Sequence, residues 1–183
     1  DEAFGRELAS LGEFYVGDSF AAALYPGLHR LQATREFGLT QLTTAGCPPI
    51  LDFPVLHRPH CVEDNAYVFD KLSESHPDIV LLYSAWNYGD VYPHLADLVA
   101  KLRALKVPHI IVMGPPPAWA GGLSKAAVDY YQTHRAHPLI PTYSDFRLDR
   151  PWHEYDEQFA KHVKALGAEY ISNQEVPTDD LAK

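Results

Sequence analysis

The stretch of sequence that decides the fold is Glu13-Phe14-Tyr15-Val16-Gly17-Asp18-Ser19-Phe20-Ala21-Ala22-Ala23-Leu24. It predicts a strand over about residues 13–17, a tight turn at Gly17 and a helix that begins beside Ser19. Open α/β sheets bind their ligands at the carboxyl ends of the strands, so this turn places a serine hydroxyl where a ligand would lie. Ser19 is therefore a candidate nucleophile, and the alternative is the helix N-cap that serine also commonly forms.

Strands and helices alternate along the rest of the chain. Further strands are predicted over about residues 39–43, 77–83, 109–113 and 168–172. Helices are predicted over about residues 20–36 with a break at Pro26, 62–75, 92–106, 124–134 and 151–166. This order predicts one α/β domain over residues 1–183, a three-layer sandwich in which helices cover both faces of a five-stranded parallel sheet.

The composition limits the classes of function. Hydrophobic residues make up 46% and charged residues 21% of the 183 residues, as in soluble globular proteins. No apolar run approaches the roughly 18 residues of a membrane span. The net charge of −9, without a cluster of lysine or arginine, argues against nucleic acid and anionic membranes as partners. Small molecules or neutral glycans fit this charge better.

The two cysteines, Cys47 and Cys61, flank a proline-rich loop. A disulfide between them would stabilise the fold by about 3 kcal/mol and would indicate an oxidising compartment. Two buried free thiols are the alternative. His57 and His60 lie nearby, but without the usual ligand spacing they do not predict a metal site.

The loops after the first three strands contain polar groups suited to acyl transfer. Because these loops meet at one edge of the sheet, we expect Ser19, Gly46 and Asn87 to lie close together. A serine nucleophile needs N–H donors for the oxyanion, and the Ser19 N–H, the Gly46 N–H and the Asn87 amide could supply them. The alternatives are that Gly46 serves only the turn before Cys47 and that Asn87 caps the next helix.

Aromatic residues lie beside these loops. Trp86, Tyr88 and Tyr92 follow the third strand, and their rings are suited to sugars. For Trp86 a sugar-binding role and a place in the core are equally supported, whereas Tyr92 is assigned to the core.

Histidines and acidic residues offer no convincing general base. Most of the ten histidines are interpreted as surface or loop residues, and His109, at the N-terminal end of the fourth strand, is at the wrong edge for Ser19. An acidic cluster near the last helix is interpreted as a solvated helix face rather than a glycosidase pair, and it comprises Asp145, Asp149, Glu154, Asp156 and Glu157.

The blocks Gly17-Asp18-Ser19, Gly46 and Asn87 resemble those of the SGNH hydrolases, also called the GDSL-like family. The text from Gly17 to Leu28 with Gly46-Cys47-Pro48-Pro49 is most similar to the extracytoplasmic SGNH domains attached to acyltransferase-3 membrane proteins. The resemblance covers about residues 13–175 and implies a flavodoxin-like fold that needs no cofactor. It implies that Ser19 is the nucleophile, that Gly46 and Asn87 complete the oxyanion hole, and that Asp18 orients the turn.

The resemblance also implies a biological role. Such domains transfer acyl groups, usually acetyl, to sugars of lipopolysaccharide O-antigen or other surface glycans. The acyl group would be relayed from a fused membrane domain, and the chain would be the periplasmic piece of a longer inner-membrane protein. A non-catalytic glycan-binding module and a free-standing carbohydrate esterase are the alternatives.

The chain departs from the family pattern at two places. The third block is usually Gly-x-Asn-Asp, where this chain has Ala85-Trp86-Asn87-Tyr88. The family's base comes from an Asp-x-x-His block after the last strand, and no Asp in this sequence is followed three residues later by His. Three explanations stay open: the block lies beyond Lys183, the base comes from elsewhere, or the domain binds without catalysing.

Overall fold

The computed structural model describes residues 12–134 and 152–173, which form a five-stranded parallel sheet with helices. The strands are β1 (Gly12–Gly17), β2 (Gly38–Thr43), β3 (Ile79–Tyr83), β4 (His109–Met113) and β5 (Glu169–Ile171). Their order is β2-β1-β3-β4-β5, and every neighbouring pair is parallel. The predicted α/β fold is confirmed. The last strand is shorter than predicted because only Glu169–Ile171 pairs with β4.

The helices in these parts of the chain are α1 (Ser19–Ala22), α2 (Tyr25–Gln32), α3 (Cys61–Ser75), α4 (Tyr92–Ala104), α5 (Leu123–Thr133) and α6 (Trp152–Ala165). The predicted break at Pro26 is confirmed, since Pro26 stands in the first turn of α2, where its missing N–H has no intrahelical partner to lose. None of the described helices is both long enough and apolar enough to cross a membrane.

Alternate strand residues point to opposite faces of the sheet and build two hydrophobic clusters. The larger cluster packs Val80 and Val112 against side chains of α3, α4 and α6. The smaller one packs Tyr15 and Tyr83 against Ala21 of α1. Helices therefore cover both faces of the sheet, as the predicted sandwich requires.

The apolar spacing predicted for α4 matches its burial. Leu95, Leu98, Val99 and Leu102 are between 0% and 5% exposed. Burying such a side chain contributes about 1.5–3 kcal/mol relative to exposing it. These four residues therefore hold α4 firmly on the larger cluster.

Candidate active site

The loops that follow β1, β2 and β3 leave the sheet side by side. Gly17, the last residue of β1, is in register with Thr43 of β2 and with Tyr83 of β3. The Thr44 N–H also donates to the Gly17 carbonyl oxygen at 3.0 Å. The three loops therefore start at one level of the carboxyl edge, where ligands of such sheets bind.

The turn after β1 requires glycine because other backbone and side-chain atoms approach it closely. A Cβ atom on Gly17 would lie 1.7 Å from the Tyr83 carbonyl oxygen and 2.8 Å from the Ala21 Cβ. Backbone cannot yield as a flexible side chain does, so any larger residue would move β1 away from β3. The glycine of the Gly-Asp-Ser block thus has a packing reason.

Asp18 is a buried carboxylate that joins the β1 turn to the β3 loop. Its side chain is 1% exposed, and its Oδ1 caps α1 by accepting from the Phe20 N–H at 2.9 Å. Its Oδ2 accepts from the Ser84 hydroxyl at 2.8 Å, the Ala85 N–H at 3.1 Å and the Tyr88 hydroxyl at 2.9 Å. These contacts hold the turn rigidly, which is the geometry that an orienting role needs.

Ser19 is the first residue of α1, and its side chain is exposed. The N-cap is Asp18, so the interpretation of Ser19 as a capping residue is wrong. In residues 12–134 and 152–173 no side chain forms a hydrogen bond with the Ser19 hydroxyl. The turn thus presents an unused hydroxyl to solvent at the carboxyl edge of the sheet.

Gly46 lies in the loop after β2 with a φ of 72°, a conformation that favours glycine. Its neighbour Cys47 forms a disulfide with Cys61 across a Cα–Cα distance of 5.3 Å, which confirms the predicted pairing. The Arg58 side chain covers Gly46, since a Cβ on Gly46 would lie 3.1 Å from the Arg58 Nε. A ring nitrogen of His60 and the two cysteine sulfurs lie within 4.8 Å of one another. Because the two sulfurs are bonded to each other, they offer no thiolate to a metal.

Neighbouring residues of the β3 loop take opposite positions. Trp86, at a φ of 53°, is 1% exposed and donates its indole N–H to the Met113 carbonyl oxygen at 2.8 Å. Its ring packs on Phe159 with the centroids 5.3 Å apart. Burial therefore favours the core for Trp86 over the suggested sugar contact. Asn87 is exposed and follows β3 at the edge where the Ser19 turn also lies.

Tyr88 lines an open cleft together with Gly46 and Arg58. The cleft has a volume of about 530 Å³, and Pro54, Val55 and Leu56 form its apolar side. Burial above all, and the Asp18 carboxylate beside it, raise the pKa of the Tyr88 hydroxyl well above its ordinary value. The hydroxyl therefore stays protonated and keeps donating to Asp18. The sequence analysis missed Arg58. The available signal was that Arg58 is the one lysine or arginine between Cys47 and Cys61.

The contacts of the described histidines do not include the Ser19 side chain. His109, at the start of β4, contacts Glu169 at 2.8 Å on the opposite edge of the sheet. His162 stacks near Tyr92 with ring centroids 4.5 Å apart. Among residues 12–134 and 152–173 no histidine forms a hydrogen bond with the Ser19 hydroxyl. The residues after Asn173, where the family pattern expects the base, lie outside the described part of the chain.

Asn173 brings the end of β5 to the same edge of the sheet. Its side-chain amide donates to the Tyr83 hydroxyl at 3.2 Å and to the Gly114 carbonyl oxygen. The Tyr83 ring in turn meets the Phe20 ring edge-on, with centroids 6.2 Å apart. The chain therefore leaves β5 close to the helix that begins with Ser19.

Asp156 corrects the interpretation of the acidic cluster as a solvated helix face. Glu154 and Glu157 are exposed, but Asp156 is only 7% exposed. Its Oδ1 accepts from the Tyr170 hydroxyl at 2.5 Å and its Oδ2 from the Ser172 hydroxyl at 2.8 Å. This carboxylate is thus part of the joint between α6 and β5.

A signal for the burial of Asp156 was present in the sequence. Asp156, Phe159 and Val163 share one helix face, and the two apolar residues are 0% exposed. The other two members of the cluster, Asp145 and Asp149, lie outside the described residues.

The sequence and the fold of the chain are similar to those of known proteins. The family model described as the SGNH domain fused to AT3 domains matches residues 10–176. No curated protein matches the sequence. The chain is similar in structure to the periplasmic domain of a lipopolysaccharide acetyltransferase from Salmonella ser. Paratyphi A, with a TM-score of 0.78 at 24% identity. The match covers 88% of this chain and 66% of the other, and at that identity it shows a shared fold.

Proposed function

The chain belongs to the family of SGNH domains fused to AT3 domains, and from this premise we propose that it catalyses acyl transfer with Ser19 as the nucleophile. The Ser19 hydroxyl attacks the acyl carbonyl, and the Ser19 N–H, the Gly46 N–H and the Asn87 amide donate to the oxyanion. The intermediate collapses as the bond to the donor's leaving group breaks and that group takes the proton, which leaves the acyl group as an ester on Ser19. A hydroxyl of the acceptor then attacks this ester and gives up its proton, and the bond to the Ser19 oxygen breaks to restore the serine hydroxyl.

The observation that carries this proposal is the contrast between Asp18 and Ser19. Asp18 accepts four hydrogen bonds and fixes the turn, whereas the Ser19 hydroxyl is exposed and has no partner among the described residues. Exposed serine hydroxyls are common, but this one stands on a turn that a buried hydrogen-bond network fixes. A nucleophile needs this arrangement, because its hydroxyl must reach the substrate.

A base must still remove the Ser19 proton, because a serine hydroxyl is a poor nucleophile at neutral pH. We propose that it comes from the segment that follows β5. The contacts of Asn173 with Tyr83, and of Tyr83 with Phe20, support this, because that segment starts near Ser19.

The proposed acceptor is a carbohydrate of lipopolysaccharide O-antigen or another surface glycan, and the proposed acyl group is acetyl. The likeness to a lipopolysaccharide acetyltransferase domain and the family's fusion to AT3 domains support this choice. The fused membrane domain would deliver the acyl group in the periplasm, where the Cys47–Cys61 disulfide would persist. A glycan-binding module without catalysis and an esterase that uses water are the competing functions.

A fluorophosphonate probe read by intact mass tests the nucleophile. The probe is applied to this chain, to a version that carries any natural residues after Lys183, and to the Ser19→Ala form of each. We expect labelling of the longer version that disappears in Ser19→Ala and persists in Ser124→Ala, which changes an exposed helix serine. Labelling of the shorter chain would place a complete site within residues 1–183. Silence from both versions would refute catalysis and favour the binding module.

A further inference from the structure

Arg58 is a cation on the wall of the cleft. Its side chain is exposed and lies against Gly46. It forms no ion pair with a carboxylate of residues 12–134 or 152–173, whereas Lys71, Lys101 and Lys125 each form one. Arg30, Arg35 and Arg103 pair with none of the described acids either, so what distinguishes Arg58 is its place on the wall of the cleft beside Gly46. Its guanidinium is therefore available to an anionic ligand in the cleft.

The backbone around Arg58 is fixed on both sides. The Arg58 N–H donates to the Val55 carbonyl oxygen at 2.9 Å, and the Arg58 carbonyl oxygen accepts from the Cys61 N–H at 3.2 Å. Cys61 is bonded to Cys47, the residue after Gly46. The disulfide thus links the arginine loop covalently to the proposed oxyanion-hole residue, so binding there would cost little ordering entropy.

The cleft itself has the character of an anion site with an apolar wall. None of the residues that line it is acidic, and Arg58 is its charged member. Leu56, on the same wall, is 83% exposed, so its apolar side chain is accessible to a ligand in the cleft. A volume of about 530 Å³ also lies in the range of small-molecule sites.

We propose that Arg58 binds an anionic substituent, a carboxylate or a phosphate, of the carbohydrate that occupies the cleft. The identity of the ligand as a carbohydrate rests on the proposed function above. The planar guanidinium donates two parallel N–H bonds to such a group, while the apolar wall contacts a sugar ring. The net charge of the whole chain favours neutral glycans, but the local charge in the cleft is positive.

The test is a binding titration by NMR on the Ser19→Ala form, with D-glucuronate, D-glucose 6-phosphate and D-glucose as separate probes. We expect at least one anionic sugar to bind about tenfold or more tightly than glucose, and Arg58→Gln to remove that difference. Arg58→Lys keeps the charge but not the fork, so it should retain part of it. Arg35→Gln, at an exposed position before β2 on the opposite edge, is the control with equal charge change.

The outcomes separate this proposal from the catalytic one, because the titration needs no turnover. Equal binding of the three sugars, or a preference that survives Arg58→Gln, overturns the role of Arg58 even if Ser19 reacts with the fluorophosphonate. A preference lost in Arg58→Gln supports the role even if Ser19 is silent. The stronger of the two anionic probes shows whether the site is built for a carboxylate or a phosphate.

Discussion

Asp18 and Asp156 are two buried carboxylates held by similar chemistry at different places in the sheet. Asp18 follows β1, next to the central strand β3, and accepts four hydrogen bonds from two loops. Asp156 lies on α6 and accepts from two hydroxyls at the end of the edge strand β5. Neither forms an ion pair among the described residues. The first positions the turn that carries Ser19, and the second joins a helix to the sheet, so burial of an acid by itself does not indicate a catalytic site.

Asp18→Ala should have the largest effect on stability. It would leave four donors without their acceptor in or near the core, and we expect a loss of about 3–5 kcal/mol in the free energy of unfolding. Urea unfolding measures it, and Asp18→Asn, which keeps the size and one oxygen, should lose less. A loss below about 1 kcal/mol in Asp18→Ala would contradict the role given to this network.

Removing the disulfide extends the comparison to the loop after β2, which carries Gly46. The Cys47→Ala/Cys61→Ala pair should lose about 3 kcal/mol, because the unfolded chain regains the freedom of the closed loop. Chemical denaturation with and without reductant measures the change in the native chain. Reductant should not change the stability of the double variant. If it lowered the stability of the native chain and of the double variant equally, the loss in the native chain would not be caused by the disulfide.

Asp156→Ala should lose about 2 kcal/mol, because it removes the acceptor of the Tyr170 and Ser172 hydroxyls. The folded fraction of Asp156→Ala should keep its Ser19 reactivity in the longer chain, whereas we expect Asp18→Ala to lose it because the turn that carries Ser19 is no longer held. Intact-mass labelling at equal folded fraction separates the two carboxylates. If Asp156→Ala abolished labelling as we expect Asp18→Ala to do, the comparison drawn above would fail.

Tyr88→Phe should have the smallest effect, about 1 kcal/mol, because one hydrogen bond to Asp18 is lost while the ring remains. It should also change the pH dependence. The pKa of Tyr88 is raised in the fold, so its contribution is complete below the ordinary tyrosine pKa of about 10 and declines as pH rises above it. Urea midpoints between about pH 9 and pH 11 should therefore fall less steeply in Tyr88→Phe. Tyr131→Phe, at an exposed position on α5, is the control.

Local patterns were enough to predict most elements of the fold. The run Ile79–Tyr83 and the apolar face of α4 appear where periodicity placed them, and Pro26 begins a new helix. Their signals are short-range, since strand and helix geometry repeat every few residues. The short β5 was not predictable in this way, because its length depends on pairing with β4.

The candidate site shows where local patterns stop. Trp86 and Asn87 are adjacent and equally plausible as ligand contacts from sequence, yet one is buried and the other exposed. The positive φ of Trp86 and the distant partner Met113 decide this. Arg58 was overlooked for a similar reason, since its contact with Gly46 joins residues 12 apart in a folded loop that the Cys47–Cys61 bond closes.

The sequence by itself determined the order and type of the elements, the family blocks around Gly17, Gly46 and Asn87, and a disulfide as one of two options. Tertiary structure alone decided that Asp18 meets Ser84, which is 66 residues away. It also decided that Asp156 is buried and that Arg58 lies in the cleft. The physical reason is range: backbone geometry and side-chain periodicity act between near neighbours, whereas hydrogen bonds and packing across the sheet exist only once distant segments are brought together.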